Sequence, residues 1–209
     1  MSNVISITLA VEDRLSEIVL RTILLQSGRS YHVTSCIGLS GFGYLRKNIR
    51  RLNNAAEGMP ILILTDLDRV ECAPILQREW LDVPQCPNLL FRVAVREVES
   101  WVMAHRTAFA AFLGIRTDLI PTNPDGLDDP KKTLLGLVSK SRKRDLREAI
   151  IPMPKSTAKV GPDYNDQVGE FVIKNWRVRE AEQYSASLRK AFHAILSFHP
   201  FHEGVLCPR

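Results

Sequence analysis

The chain has 209 residues, 45% of them hydrophobic and 24% charged, with a formal net charge of +5. That is enough chain for a globular core without disulfide staples, and it excludes a disordered or collagen-like protein. No apolar run reaches the about 18 residues of a membrane span, and the Met1-Ser2-Asn3-Val4 start lacks the basic region of a signal peptide, so a cytoplasmic protein without a membrane partner is expected.

Residues 4–10 read as a first strand. Leu15, Ile18, Val19 and Ile23 then recur at helical spacing, with Asp13 as N-cap and Gly28 as stop. Residues 31–36 form a second strand, and Gly38, Gly41 and Gly43 a loop. Leu45, Asn48, Ile49, Leu52 and Ala56 line one face of the next helix, which Gly58 and Pro60 end. Residues 61–65 are a short apolar run of the kind found in central parallel strands. A short helix over 73–80 leads to a fourth strand over 89–95. Val98, Trp101, Val102, His105, Phe109 and Phe112 give one long amphipathic helix. Strands alternating with helices specify an α/β protein with a parallel sheet of about four strands covered on both sides.

The second half is different. Asp129-Pro130 marks a helix start through Leu134, Leu135 and Val138. Residues 150–162 are a Pro- and Lys-rich loop, and two more helices are expected over 166–176 and 180–196. The division is a first unit over 1–115 and a helical C-terminal extension over 116–209 packed on it. There is no internal repeat.

Acids stand where three of the strands end: Glu12 after the first, Asp66 and Asp68 after the third, Glu97 and Glu99 after the fourth. Binding sites of open α/β sheets lie outside these carboxyl ends. Carboxylates gathered there repel one another unless a cation intervenes, and oxygen-only ligands suit a hard ion such as Mg²⁺. Each acid alone has a simpler reading, as a helix cap or a first-turn acid. Their coincidence at three strand ends favours a metal pocket. Cys36, Cys72, Cys86 and Cys207 have no zinc-site spacing, and His193, His199 and His202 are too dispersed to be ligands.

This order of strand–Glu, strand–Asp-x-Asp and strand–acid resembles the TOPRIM domain. Val11-Glu12-Asp13-Arg14-Leu15-Ser16-Glu17 is similar to its first motif, and Ile63-Leu64-Thr65-Asp66-Leu67-Asp68 to its second. Val95-Arg96-Glu97-Val98-Glu99-Ser100-Trp101 resembles the third motif of small stand-alone TOPRIM-like proteins, which are similar to the OLD (overcoming lysogenization defect) nucleases. Lys159-Val160-Gly161-Pro162-Asp163-Tyr164-Asn165 also looks like that group. Asp13 stands where the family usually has Gly, and Ser16 where it commonly has a second acid. Glu17 comes one position later, turned by about 100° on a helix, and is not counted as a ligand.

The resemblance implies a TOPRIM-like Rossmannoid sheet and a Mg²⁺- or Mn²⁺-dependent nuclease. Glu12, Asp66 and Asp68 would be catalytic and metal-binding, with Glu97 or Glu99 completing a second site; apart from the resemblance, Lys159 in its Pro-rich loop is a candidate transition-state lysine, as fixed positive charge serves phosphoryl chemistry. It further implies antiphage defence or mobile-element biology, DNA before RNA as substrate, and an ATPase partner. The alternatives are a non-catalytic regulatory or toxin subunit of an ATPase complex, and a structured-RNA maturase.

Two basic sets complete the reading. Arg46, Lys47, Arg50 and Arg51 lie opposite the apolar face of their helix, and Lys140, Arg142, Lys143 and Arg144 belong to a cluster that also holds Lys131, Lys132 and Arg147. The first set is a candidate for backbone phosphates or a solvated face, and the second, the better nucleic-acid candidate, is equally a surface for an acidic protein partner. Trp80, Trp101 and Trp176, and His105, are read as core residues.

Overall fold

A computed structural model describes residues 4–39 and 43–201. The expectations for Met1, Ser2, Asn3, Gly41, His202 and Cys207 fall outside the described residues.

Four strands, β1 (Ile5–Val11), β2 (Tyr31–Gly38), β3 (Ile61–Asp66) and β4 (Leu89–Ala94), form a parallel sheet in the order β2-β1-β3-β4. The chain steps outward from β1 to β2 and then returns to the other side of β1 for β3. That reversal opens a crevice between the carboxyl ends of β1 and β3, where an α/β sheet places its ligands.

The strands bury alternate residues on opposite faces, as the pleat dictates. Ile7, Leu9, Val11, Leu62, Leu64 and Leu90 face the larger core. Ala10, Ile61, Ile63, Phe91 and Val93 face a smaller one built with α2 (Tyr44–Ala55) and α3 (Ala73–Trp80). On the larger side α1 (Arg14–Gln26) packs against α8 (Tyr164–Lys174), and Gly169 of α8 lets the two helices approach, since a Cβ there would press into Ile18. Residues from both halves of the chain share this core.

Asp13 caps α1 as expected, its side chain accepting from the Ser16 N–H at 2.8 Å. Glu17 is buried in the next turn. Burial pushes its carboxyl up, but Arg21 (2.8 Å) and Arg14 (2.6 Å) outweigh this and leave it below the ordinary glutamate range. Asp129 likewise caps α6 (Pro130–Val138) through the Lys132 N–H, with Pro130 at the helix start.

Two expected helices are each broken in two. The run through Phe112 is α4 (Val98–Ala104) and α5 (Arg106–Leu113), separated at His105, whose ψ of 69° is not helical. There the Arg177 N–H donates to His105 Nδ1 at 3.0 Å, a bond made by a residue 72 positions away. The expected helix over 180–196 is α9 (Val178–Ala181) and α10 (Ala186–Ser197), divided where Ser185 caps α10. An additional helix, α7 (Arg144–Ile150), precedes the loop that contains residues 151–163. Trp101 and Trp176 are fully buried, each with its indole N–H satisfied, by Ser187 Oγ and the Trp101 carbonyl respectively. No helix among the described residues is long and apolar enough to cross a membrane.

Candidate metal centre

The ends of β1, β3 and β4 place the predicted acids around the crevice. Glu12 follows β1 directly and accepts a hydrogen bond from the Thr65 hydroxyl of β3, a contact that ties the two strand ends together. Burial raises the Glu12 carboxyl, with Asp68 and Asp13 adding to the effect and the Thr65 bond opposing it. Asp66 ends β3, and its Oδ1 accepts from the Val98 N–H at the start of α4 at 2.9 Å. Burial, followed by the charges of Glu99, Asp13 and Glu12, pushes Asp66 well above the usual aspartate range. Lys131 only partly offsets this.

Asp68 is exposed, two residues beyond, in the left-handed backbone region with φ 49°. Aspartate is one of the few side chains that tolerate that conformation. Its backbone is pinned by Arg96: the Asp68 N–H donates to the Arg96 carbonyl at 3.0 Å, and the Arg96 guanidinium returns a bond to the Asp68 carbonyl at 3.0 Å.

The helix phase after β4 separates Glu97 from Glu99. Glu97 is the N-cap residue of α4 and lines an open cavity of about 590 Å³ with Asp68, Arg69, Arg96, Asp128 and Asp129. Its Oε2 accepts from the Lys131 N–H at 2.8 Å. Glu99, in the first turn, is fully buried. Its Oε1 accepts from the Tyr164 hydroxyl at 2.8 Å and lies 3.2 Å from Lys131 Nζ, while its Oε2 is buried with no hydrogen-bond partner. Burial dominates in raising Glu99, with Lys131 and the Tyr164 bond opposing it. Burial alone would lower Lys131, but Glu99 and Glu97 reverse the sign and hold its ammonium firmly charged.

Lys131 and Tyr164 join the site from the second half of the chain, and no strand-end pattern marks either of them. In sequence Lys131 belongs to the basic cluster of the second half, and Tyr164 to the stretch 159–165 that resembles the TOPRIM-like group. Lys159 is exposed on the loop before α8. Of the basic candidates, Arg46, Lys47, Arg50 and Arg51 are exposed along α2, with Arg50 tied to Asp82. Lys140 and Arg142 are exposed, Lys143 donates to the Phe112 carbonyl at 2.7 Å, and Arg144 pairs with Glu148 at 2.6 Å.

Among the described residues no three His, Cys, Asp or Glu side chains are arranged as they stand to hold a metal ion. The donor chemistry still fits a hard divalent cation. Glu12, Asp66 and Glu99 are all raised by burial, they present oxygen only, and Glu99 carries an orphaned buried oxygen.

No protein-family model matches the chain, and no curated protein matches it. Among solved structures it is similar to the C-terminal region of the Burkholderia pseudomallei OLD protein, at 14% identity, over 91% of this chain and 96% of that one, with a TM-score of 0.43. The α/β class and the parallel four-stranded sheet stand on the chain's own strand order and register.

Proposed function

We propose that the chain is a divalent-metal-dependent nuclease that hydrolyses nucleic-acid phosphodiesters, DNA before RNA. The carrying observation is the gathering of Glu12, Asp66, Glu97 and Glu99 at one end of the sheet, with Lys131 against Glu97 and Glu99. Several carboxylates against one ammonium are stable together only with protons or a further cation. In this reading Glu12, Asp66, Asp68, Glu97 and Glu99 hold Mg²⁺ or Mn²⁺. Such an ion supplies Lewis-acid charge to the scissile phosphate and acidifies water beside it.

The chain's own residues supply the rest. Glu12, raised by burial and steadied by Thr65, is suited to take a proton from the attacking water and return it to the leaving oxygen. Asp66 is fixed by the Val98 N–H and Glu99 by Tyr164, so neither carboxylate is free to swing. Arg69, on the cavity wall, offers positive charge to a phosphate, and Lys159 is assigned the same task from its loop. Residues 1–115 are the catalytic unit in this proposal. The extension over 116–209 contributes Lys131 and Tyr164 to it. Arg46, Lys47 and Arg51, with Lys140 and Arg142, would track the backbone. The resemblance at the motifs extends the proposal to antiphage defence or mobile-element biology, beside an ATPase partner.

The Lys131–Glu99 ion pair favours a second reading. An internal ammonium already neutralises part of the acid set, as a non-catalytic subunit would require. Purified protein incubated with plasmid, single-stranded DNA and folded RNA in Mg²⁺ or Mn²⁺ separates the two. Cleavage lost in Asp66→Asn supports the nuclease. Metal-independent cleavage, or none under any condition, overturns it, and preference for folded RNA moves it to the maturase.

A further inference from the structure

A second site lies at the edge of the sheet. β4 is an edge strand, and beside it α3 and α10 enclose a cavity of about 360 Å³. Ala73, Pro74, Val95 and Ala186 give it accessible apolar walls, and Arg92 and Lys190 give it positive charge. Arg92 stands out physically. It is half-buried, its Nε is shut off from solvent without a hydrogen-bond partner, and it makes no ion pair among the described residues. A partly desolvated guanidinium with no counter-charge is costly, and an apolar residue of similar size would pack there at less cost.

The one carboxylate on the cavity wall does not relieve it. Asp125 spends both oxygens on α10: Oδ1 accepts from the Ser185 hydroxyl at 2.7 Å and Oδ2 from the Ser187 N–H at 2.9 Å. Two cations, Arg92 and Lys190, against one carboxylate leave the cavity lining with a net positive charge. A guanidinium presents a planar fork that matches a carboxylate or phosphate in two parallel hydrogen bonds. Apolar walls of this extent suit a ligand with a hydrocarbon or aromatic body, and the volume is in the range of small-molecule pockets. A bare polyanionic backbone would leave those walls unused.

We propose that this cavity binds a small organic anion, its carboxylate or phosphate head on Arg92 and its apolar body against Ala73, Pro74, Val95 and Ala186. Lys190, exposed at the rim, adds a second cation. The site is separate from the acid cluster and does not depend on the nuclease reading.

The test titrates the full chain with phenylphosphate and with phenylacetate, with inorganic phosphate and acetate as body-less controls. Binding is read by thermal melting and by tryptophan fluorescence, because Trp80 packs on Phe91 with ring centroids 5.7 Å apart and Trp101 donates to Ser187. The expected result is a Tm rise of about 2–4 °C or more at saturation with at least one aromatic anion. The two arms identify the head group. Arg92→Met should abolish the shift and, without ligand, melt above the wild type. Should that variant not fold, Lys190→Ala must weaken binding by about 10-fold. Asp66→Asn must leave anion binding unchanged, which keeps this result apart from that of the metal centre. Absence of a shift with either aromatic anion, an equal shift in Arg92→Met, or displacement of the bound anion by an oligonucleotide overturns the assignment.

Discussion

Asp66→Asn separates charge from shape at the metal centre. The asparagine can still accept the Val98 N–H through its Oδ1, so the 2.9 Å bond that fixes this strand end is kept. What disappears is one charge from a set in which Glu12, Glu97 and Glu99 remain against Lys131. Relief of such like-charge strain at a functional site stabilises by about 0.5–2 kcal/mol. For a chain of this length that is a Tm rise of roughly 1–8 °C. The sign with pH follows from the direction of the shift. Asp66 is raised in the folded state, so its contribution is full below the unfolded aspartate value and is lost as pH rises through the folded one. The metal-free wild type therefore loses stability on the alkaline side of that window, and the variant loses less. Mn²⁺ should restore the wild type, increasingly as protons leave the acids, and should not restore the variant. Cleavage should fall by at least about 100-fold. The measurement is a grid of melting curves over pH with and without Mn²⁺, beside a plasmid-cleavage assay. A variant that melts below the wild type and keeps the full Mn²⁺ gain would refute the reasoning.

Tyr164→Phe removes the donor to Glu99 Oε1 at a site only 3% exposed, and should lower stability by about 1–3 kcal/mol, read as a shift in the urea midpoint. An unchanged midpoint would mean that Lys131 alone satisfies Glu99. Gly38→Ala should be severe, by more than about 2 kcal/mol, because φ is 102° and an added Cβ would run into the Val11 carbonyl oxygen beside Glu12. Soluble yield and the melting curve report it. Glu17 is lowered in the folded state, so its ion pairs with Arg14 and Arg21 stabilise above the ordinary glutamate range and fail as pH falls through the lowered value. Glu17→Gln should flatten that acid limb while changing neutral-pH cleavage little. A joint Arg46, Lys47 and Arg51 to alanine variant should reduce the salt slope of DNA binding by up to about three, whereas Arg50→Ala, already paired with Asp82, should change it less. Equal slopes would place the nucleic-acid path elsewhere.

The sequence by itself determined the strands, because burial on a pleated sheet repeats every two residues and helices every three or four, and both patterns are local. It also placed Glu12, Asp66, Asp68, Glu97 and Glu99 at strand ends, since a strand's end is marked by the residues that follow it. What it could not determine depends on residues far apart in the chain. The breaks at His105 and Ser185 interrupt good helical spacing, and the first is held by a hydrogen bond from Arg177. Which of two glutamates is open and which is buried followed from two residues of helix phase, together with Lys131 and Tyr164 arriving from the second half. Arg92 sits inside an apolar strand run and gives no local sign of lacking a counter-charge. Only the packing of α10 against β4 decided that, because a charge is unpartnered only with respect to everything that surrounds it.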